Sequence, residues 1–200
     1  MNFILPYFII LLVLLQLILR KNGKKEEDNN KEFWHRESKS NTVRRKDISH
    51  LAYITIPDTL PQITTSLPEL ITALNQIEEL RSKKILNLSG KSNTDLKMEY
   101  GAPNLTELSS YDDNFTRLLR ALTKAGNLML ENNMEQEGIA YLEYSVQIGS
   151  DISDNYTDLA TYYVNHDQQD RIKWLIQHAE ILKSIRKDAI ITKVKEISAT

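Results

Sequence analysis

The chain has 200 residues, 25 Lys/Arg against 27 Asp/Glu, and no cysteine. A formal charge of −2 gives no overall pull toward nucleic acid, and the missing thiols exclude disulfides, thiolate catalysis, cysteine-held zinc and an N-terminal lipoprotein anchor. The length suits one small domain with a hydrophobic core once the uncharged start is set aside.

From Phe3 to Leu19 the only strongly polar residue is Gln16. Such a run, at 1.5 Å per helical residue, is the short end of a bilayer span. A cleaved signal peptide needs a basic stretch before the apolar run and a small-residue cleavage site after it. Neither is present, so residues 1–20 read as an uncleaved single-pass transmembrane anchor that contacts the lipid bilayer through Phe3–Leu19. Arg20, Lys21, Lys24 and Lys25 all follow it. Basic residues stay on the cytoplasmic side. The expected topology in the plasma membrane is therefore N-terminus out and body cytoplasmic.

Residues 21–49 form a basic juxtamembrane linker or stalk. Residues 20–46 carry a net charge of +5, which against −2 for the whole chain leaves −7 on residues 47–200. The neck is charged and Asn-rich, which leaves both a flexible tether and a helical stalk open. Phe33 and Trp34 stand out in it, suited to the membrane interface or to docking on the body. In HLAYITIP, Ala52, Ile54 and Ile56 alternate with Leu51, Tyr53 and Thr55, so residues 51–56 read as extended. No second strand is evident, and the segment is expected to lie along a helical domain of residues 50–200.

Ser66-Leu-Pro-Glu69 has the spacing of a capping box with proline near the first turn, and predicts a helix to about Lys84. Ser92 and Asp95 repeat that spacing, and Gly101 with Pro103 closes a short helix. Another short helix is expected over 104–109 and a longer one from Asp112 to Glu131. A last amphipathic helix, 187–198, is expected to cap the end, with Ile190, Ile191, Val194 and Ile197 on one face. The predicted class is all-α.

Two segments match at an offset of 34 residues: Leu122 with Tyr156, Ala125 with Leu159, Gly126 with Ala160, Met129 with Tyr163. Gly138 then matches Ile172, Leu142 matches Ile176, and Ser145 matches Ala179. Small residues stand where two helices would come closest, and large ones beside them. Over residues 119–184 this resembles the tetratricopeptide repeat, with hairpins at about 119–149 and 153–184. The closing proline of the family is absent, Ser150 and Ser184 standing in its place. NTVRRKDISHLAYITIP, KKILNLSG and SNTDLKMEYG also resemble uncharacterised membrane-anchored helical proteins of bacteria.

The resemblance implies a concave groove lined by the first helix of each hairpin. In the family's register its positions are Arg120, Thr123, Asn127, Leu130 and Glu131, then Asp154, Thr157, Thr161, Val164 and Asn165. The version of the fold that grips a C-terminal carboxylate carries lysine and arginine there. Asn127 fits one such position, but Thr123 replaces an expected lysine, so that clamp is not expected.

Elsewhere the chemistry is sparse. Gly90-Lys-Ser92 has the end of a phosphate loop, but Ile85 occupies the position of its required first glycine. His35, His50, His166 and His178 lack metal-ligand spacing. No nucleophile has a positioned base. Asn87, Asn104, Asn114 and Asn155 begin glycosylation tripeptides that carry no weight for a cytoplasmic body. The expectation is a non-enzymatic membrane-tethered adaptor or scaffold for an unknown protein or peptide, with no cofactor, metal, nucleic acid or small-molecule substrate. The alternative is an extracytoplasmic structural or envelope-assembly component.

Overall fold

The computed structural model describes residues 11, 15, 16 and 27–199. Apart from Leu11, Leu15 and Gln16, the proposed anchor lies outside the described residues. Among those described, no helix is long and apolar enough to cross a membrane. All regular structure among them is helical, with no strand. Two compact units emerge: Met1–Asp47 with Ser92–Leu105, and Ile48–Lys91 with Thr106–Thr200.

The first unit contains α1 (27–41) and α3 (Asn93–Tyr100), which a 3-10 turn follows. Ser92 and Asp95 form the expected reciprocal capping box. Gly101 ends α3 at φ 96°, with its Cα against the Arg44 backbone, where a side chain has no room. Glu37 of α1 pairs with Lys97 of α3 and accepts from Thr94 Oγ1 at 2.6 Å. The hydrogen bond from Lys97, then that from Thr94, holds its carboxyl below the ordinary range. The neck is thus helical over 27–41, with Phe33 and Trp34 exposed on it and meeting edge to face.

The second unit contains α2 (Pro68–Arg81), α4 (Leu105–Glu131, all but its first residue), α5 (Glu135–Gln147), α6 (Ser153–Asn165), α7 (Gln169–Glu180) and α8 (Lys187–Ser198). Two details depart from expectation. Ser66 does not cap α2; the N-cap is Leu67, extended at φ −75° and ψ 112°, with no side-chain cap. Proline disfavours helical geometry in the residue before it, so Pro68 fixes the start one residue late for a Ser66–Glu69 box. The expected break before Asp112 is also absent, and α4 runs unbroken for 27 residues. Asp112 Oδ1 accepts the Leu88 N–H at 3.0 Å instead of capping a new helix. Leu108, Phe115, Leu118, Leu119 and Leu122 meanwhile keep one continuous buried stripe.

The 34-residue period is present in the backbone. Asn133 and Asp167, one period apart, close the α4–α5 and α6–α7 turns at φ 61° and 55°. Met134 N–H donates to Met129 O at 2.9 Å, and Gln168 N–H to Tyr163 O at 2.8 Å, the same Schellman-type closure. Leu122, Tyr156 and Ile190 are all buried, so the register continues into α8. α8 packs on α6 and α7. Its exposed Lys193 and Lys195 face away.

Gly126 and Gly138 allow α4 and α5 to approach closely. A Cβ on Gly126 would stand 2.6 Å from Leu142 Cδ2, and one on Gly138 would stand 2.8 Å from the Gly126 carbonyl. Glu79 and Glu69 of α2 pair with Arg117 and Lys124 of α4 at 3.3 and 3.2 Å, which sets the two helices antiparallel. Residues 54–63 form a strap over this part. Ile56 and Leu60 enter the core with α2, α4 and α5, and Ile54 N–H donates to Ile85 O at 2.9 Å. Tyr144 and Tyr141 of α5 donate to Thr55 O at 3.1 Å and Pro61 O at 2.9 Å. Arg81 donates to Ile56 O at 3.0 Å and pairs with Asp58 at 2.9 Å.

Candidate functional site

The first-helix positions read from the repeat register fall on α4 and α6. Arg120, Glu131, Asp154, Thr161 and Asn165 are exposed. Thr123, Asn127, Leu130, Thr157 and Val164 are half-buried. Leu130 and Val164 pack against the second core cluster, so they brace the helices more than they line an open face. The strap lies over α5 and α2 through Tyr141, Tyr144 and Arg81.

The face is rich in acceptors. Thr123 donates to Leu119 O at 2.9 Å, Thr157 to Asp154 O at 3.0 Å, and Thr161 to Thr157 O at 2.8 Å. Their hydroxyl protons are committed to their own helices, and only oxygen lone pairs remain for another molecule. Asn127 Oδ1 is buried with no hydrogen-bond partner. Burial, and then the charge of Asp154, raise the carboxyl pKa of Asp158 on the same helix.

Two adjoining clefts lie at the end of this face. One, about 390 Å³, is lined by Thr116, Leu119 and Arg120 of α4, by Ile152, and by Ile185 and Arg186 before α8. The other, about 600 Å³, lies between residues 52–55, residues 86–89, the end of α5 and residues 181–184. Ser89, Asp151 and Ser184 line both. Ile181 and Ile185 are exposed there. The segment ILKSIRK, residues 181–187, mixes three apolar with three basic side chains, a composition that could have pointed to this wall.

The remaining polar clusters are tied into the fold. Asn155 donates to Ser145 Oγ at 2.9 Å and Ser150 Oγ at 3.1 Å, and Tyr156 OH donates to Ser150 O at 2.9 Å. Ser150 thus anchors the α5–α6 turn. Asn104 and Asn155 are fully buried, which removes two of the four glycosylation tripeptides from the surface. Tyr163 OH donates to Glu143 at 2.6 Å, and Arg171 pairs with the same carboxylate. Burial, then the bond to Glu143, raise the Tyr163 phenol, so it stays neutral. His166 Nδ1 donates to Tyr162 O at 2.8 Å and His178 Nδ1 to Trp174 O at 2.9 Å. Gly90 sits in a turn at φ 80° and Ser92 caps α3. Among the described residues, no group of three His, Asp or Glu could hold a metal ion.

What this arrangement offers is surface: a polar acceptor face that continues into two clefts. No protein-family model, no curated protein and no solved structure matches the chain.

Proposed function

We propose that the chain is a non-enzymatic adaptor of tetratricopeptide type, tethered to the plasma membrane by Phe3–Leu19, whose first-helix face holds a segment of another protein. One observation carries the reading. α2, the strap and α8 cover other faces of the helices, while Arg120, Asp154 and Thr161 stay exposed on α4 and α6. Tethering would raise the local concentration of the bound segment at the bilayer. The cytoplasmic side follows from the basic residues after the apolar run.

The test is site-specific photocrosslinking of the full chain in cells. A photoreactive residue at Thr161 is expected to give a discrete adduct that Asn127→Arg removes, while the same group at Lys193 on α8 gives none. Equal adducts at Thr161 and Lys193 would remove the groove from the reading. A reporter active only in the cytoplasm, fused after Thr200, is expected to be active; an inactive fusion would move the body to the other side and favour an envelope component.

A further inference from the structure

Among the described residues of the second unit, the exposed large hydrophobic side chains are Ile71, Ile181 and Ile185, and two of these three stand on the walls of the adjoining clefts. Isoleucine in such a position loses water-exposed area when a partner docks. The charges there are as distinctive. Arg120 and Arg186 line the smaller cleft, and Lys183 lines the larger. None of their three side chains has a hydrogen-bond or ion-pair partner among the described residues, although Arg81, Arg117, Lys124, Arg171 and Lys173 of the same unit are all paired. Two carboxylates share the site: Asp112, which accepts the Leu88 N–H, and Asp151 in the common wall. Free cations therefore outnumber acids here, on a stretch of chain, 47–200, that carries a net −7.

A local surplus of unpaired positive charge on an acidic body selects for negative partners. Apolar side chains between those cations add a second requirement. The walls on one side are non-helical chain, 52–55 and 86–89, with Ile54 N–H bonded to Ile85 O at 2.9 Å. We infer that the paired clefts bind an acidic peptide segment in which aspartate or glutamate alternates with apolar residues, the carboxylates meeting Arg120, Lys183 and Arg186 and the apolar side chains seating against Ile181 and Ile185. The inference rests on the adaptor reading and adds the chemistry of the bound segment.

The experiment uses the full-length protein in a neutral detergent and two fluorescein-labelled peptides of equal length, one alternating aspartate with leucine, the other lysine with leucine. Fluorescence anisotropy is expected to show binding of the acidic peptide alone, weakened by added salt. Lys183→Glu combined with Arg186→Glu should weaken it by about tenfold or more, and Ile185→Ser should weaken it at unchanged salt dependence. Thermal melts of each variant check that the body is folded; if the double charge reversal unfolds it, Lys183→Gln with Arg186→Gln takes its place. Equal binding of both peptides, or an affinity untouched by the charge changes, overturns the inference. If the acidic peptide fails to bind while the Thr161 adduct persists, the acidic occupant falls and the adaptor reading stands. If sedimentation shows a dimer that Arg186→Glu dissolves, the cleft belongs to a second copy of the chain, and the inference is again overturned.

Discussion

At the scale of single residues, the balance at Gly126 and Gly138 can be weighed. Glycine inside a helix costs about 1 kcal/mol relative to alanine. Forcing a methyl into a packed contact costs about 1–3 kcal/mol. At Gly138 the nearest obstacle is the Gly126 carbonyl at 2.8 Å, part of a helix backbone; at Gly126 it is the Leu142 side chain at 2.6 Å, with the Gly138 carbonyl farther off at 3.1 Å. A side chain yields more easily than a backbone. Gly138→Ala should therefore lower stability by up to about 2 kcal/mol net, and Gly126→Ala by less, as read from urea unfolding. A larger loss at Gly126 would show that Leu142 is the more rigid neighbour. The glycines and their 34-residue register were legible in the sequence because both helices repeat the same small-against-large alternation. The cap of α2 was not read correctly, because Ser66–Glu69 spacing and a Pro68 start compete and the proline wins.

At the scale of elements, the strap is held by side-chain hydroxyls and a guanidinium. Burial pushes the Tyr144 phenol up to about 12, with Arg81 opposing, so it remains a donor to Thr55 O at any ordinary pH. Tyr144→Phe removes that bond and leaves the Thr55 carbonyl to find water, a loss of about 1 kcal/mol. Hydrogen exchange should then quicken at the Ile54 amide and stay unchanged in α6 and α7. An unchanged Ile54 amide would mean that Ile56 and Leu60 alone hold the strap. The alternation of 51–56 marked a segment outside the helices, but not where it lies. Its partners are carbonyl contacts from residues 80 and 89 positions away, which leave no periodic trace. The unbroken α4 was missed for a related reason: the partner of Asp112 is Leu88, not the helix that the aspartate seemed to start.

At the scale of the whole molecule, the described part of the second unit is held in two hydrophobic clusters. One joins the strap, α2, α4 and part of α5; the other joins α5 to α8. Repeat architectures pass stability from neighbour to neighbour. Val194 is fully buried in the second cluster. Val194→Asp would bury a charge without a partner, a severe and identifiable lesion. Amides of α6 and α7 should then lose protection while those of α2 and the middle of α4 keep theirs. Uniform loss across both clusters would show one cooperative body instead. The all-helical class was readable from 3.6-residue periodicity. The clefts were not, because Ile181 and Ile185 look like core residues until the turn before α8 leaves them outside.

The strap also bears on the order in which the chain takes shape. The hairpin turns close through bonds between residues five apart, Met134 to Met129 and Gln168 to Tyr163. Local loops of that kind form fast. Thr55 meets Tyr144 only after 89 further residues exist. On a ribosome, Ile54, Ile56 and Leu60 are therefore made well before α5, the helix that seats them. The strap is made early and fastened late, and in the interval its apolar side chains are the newborn chain's exposed flank.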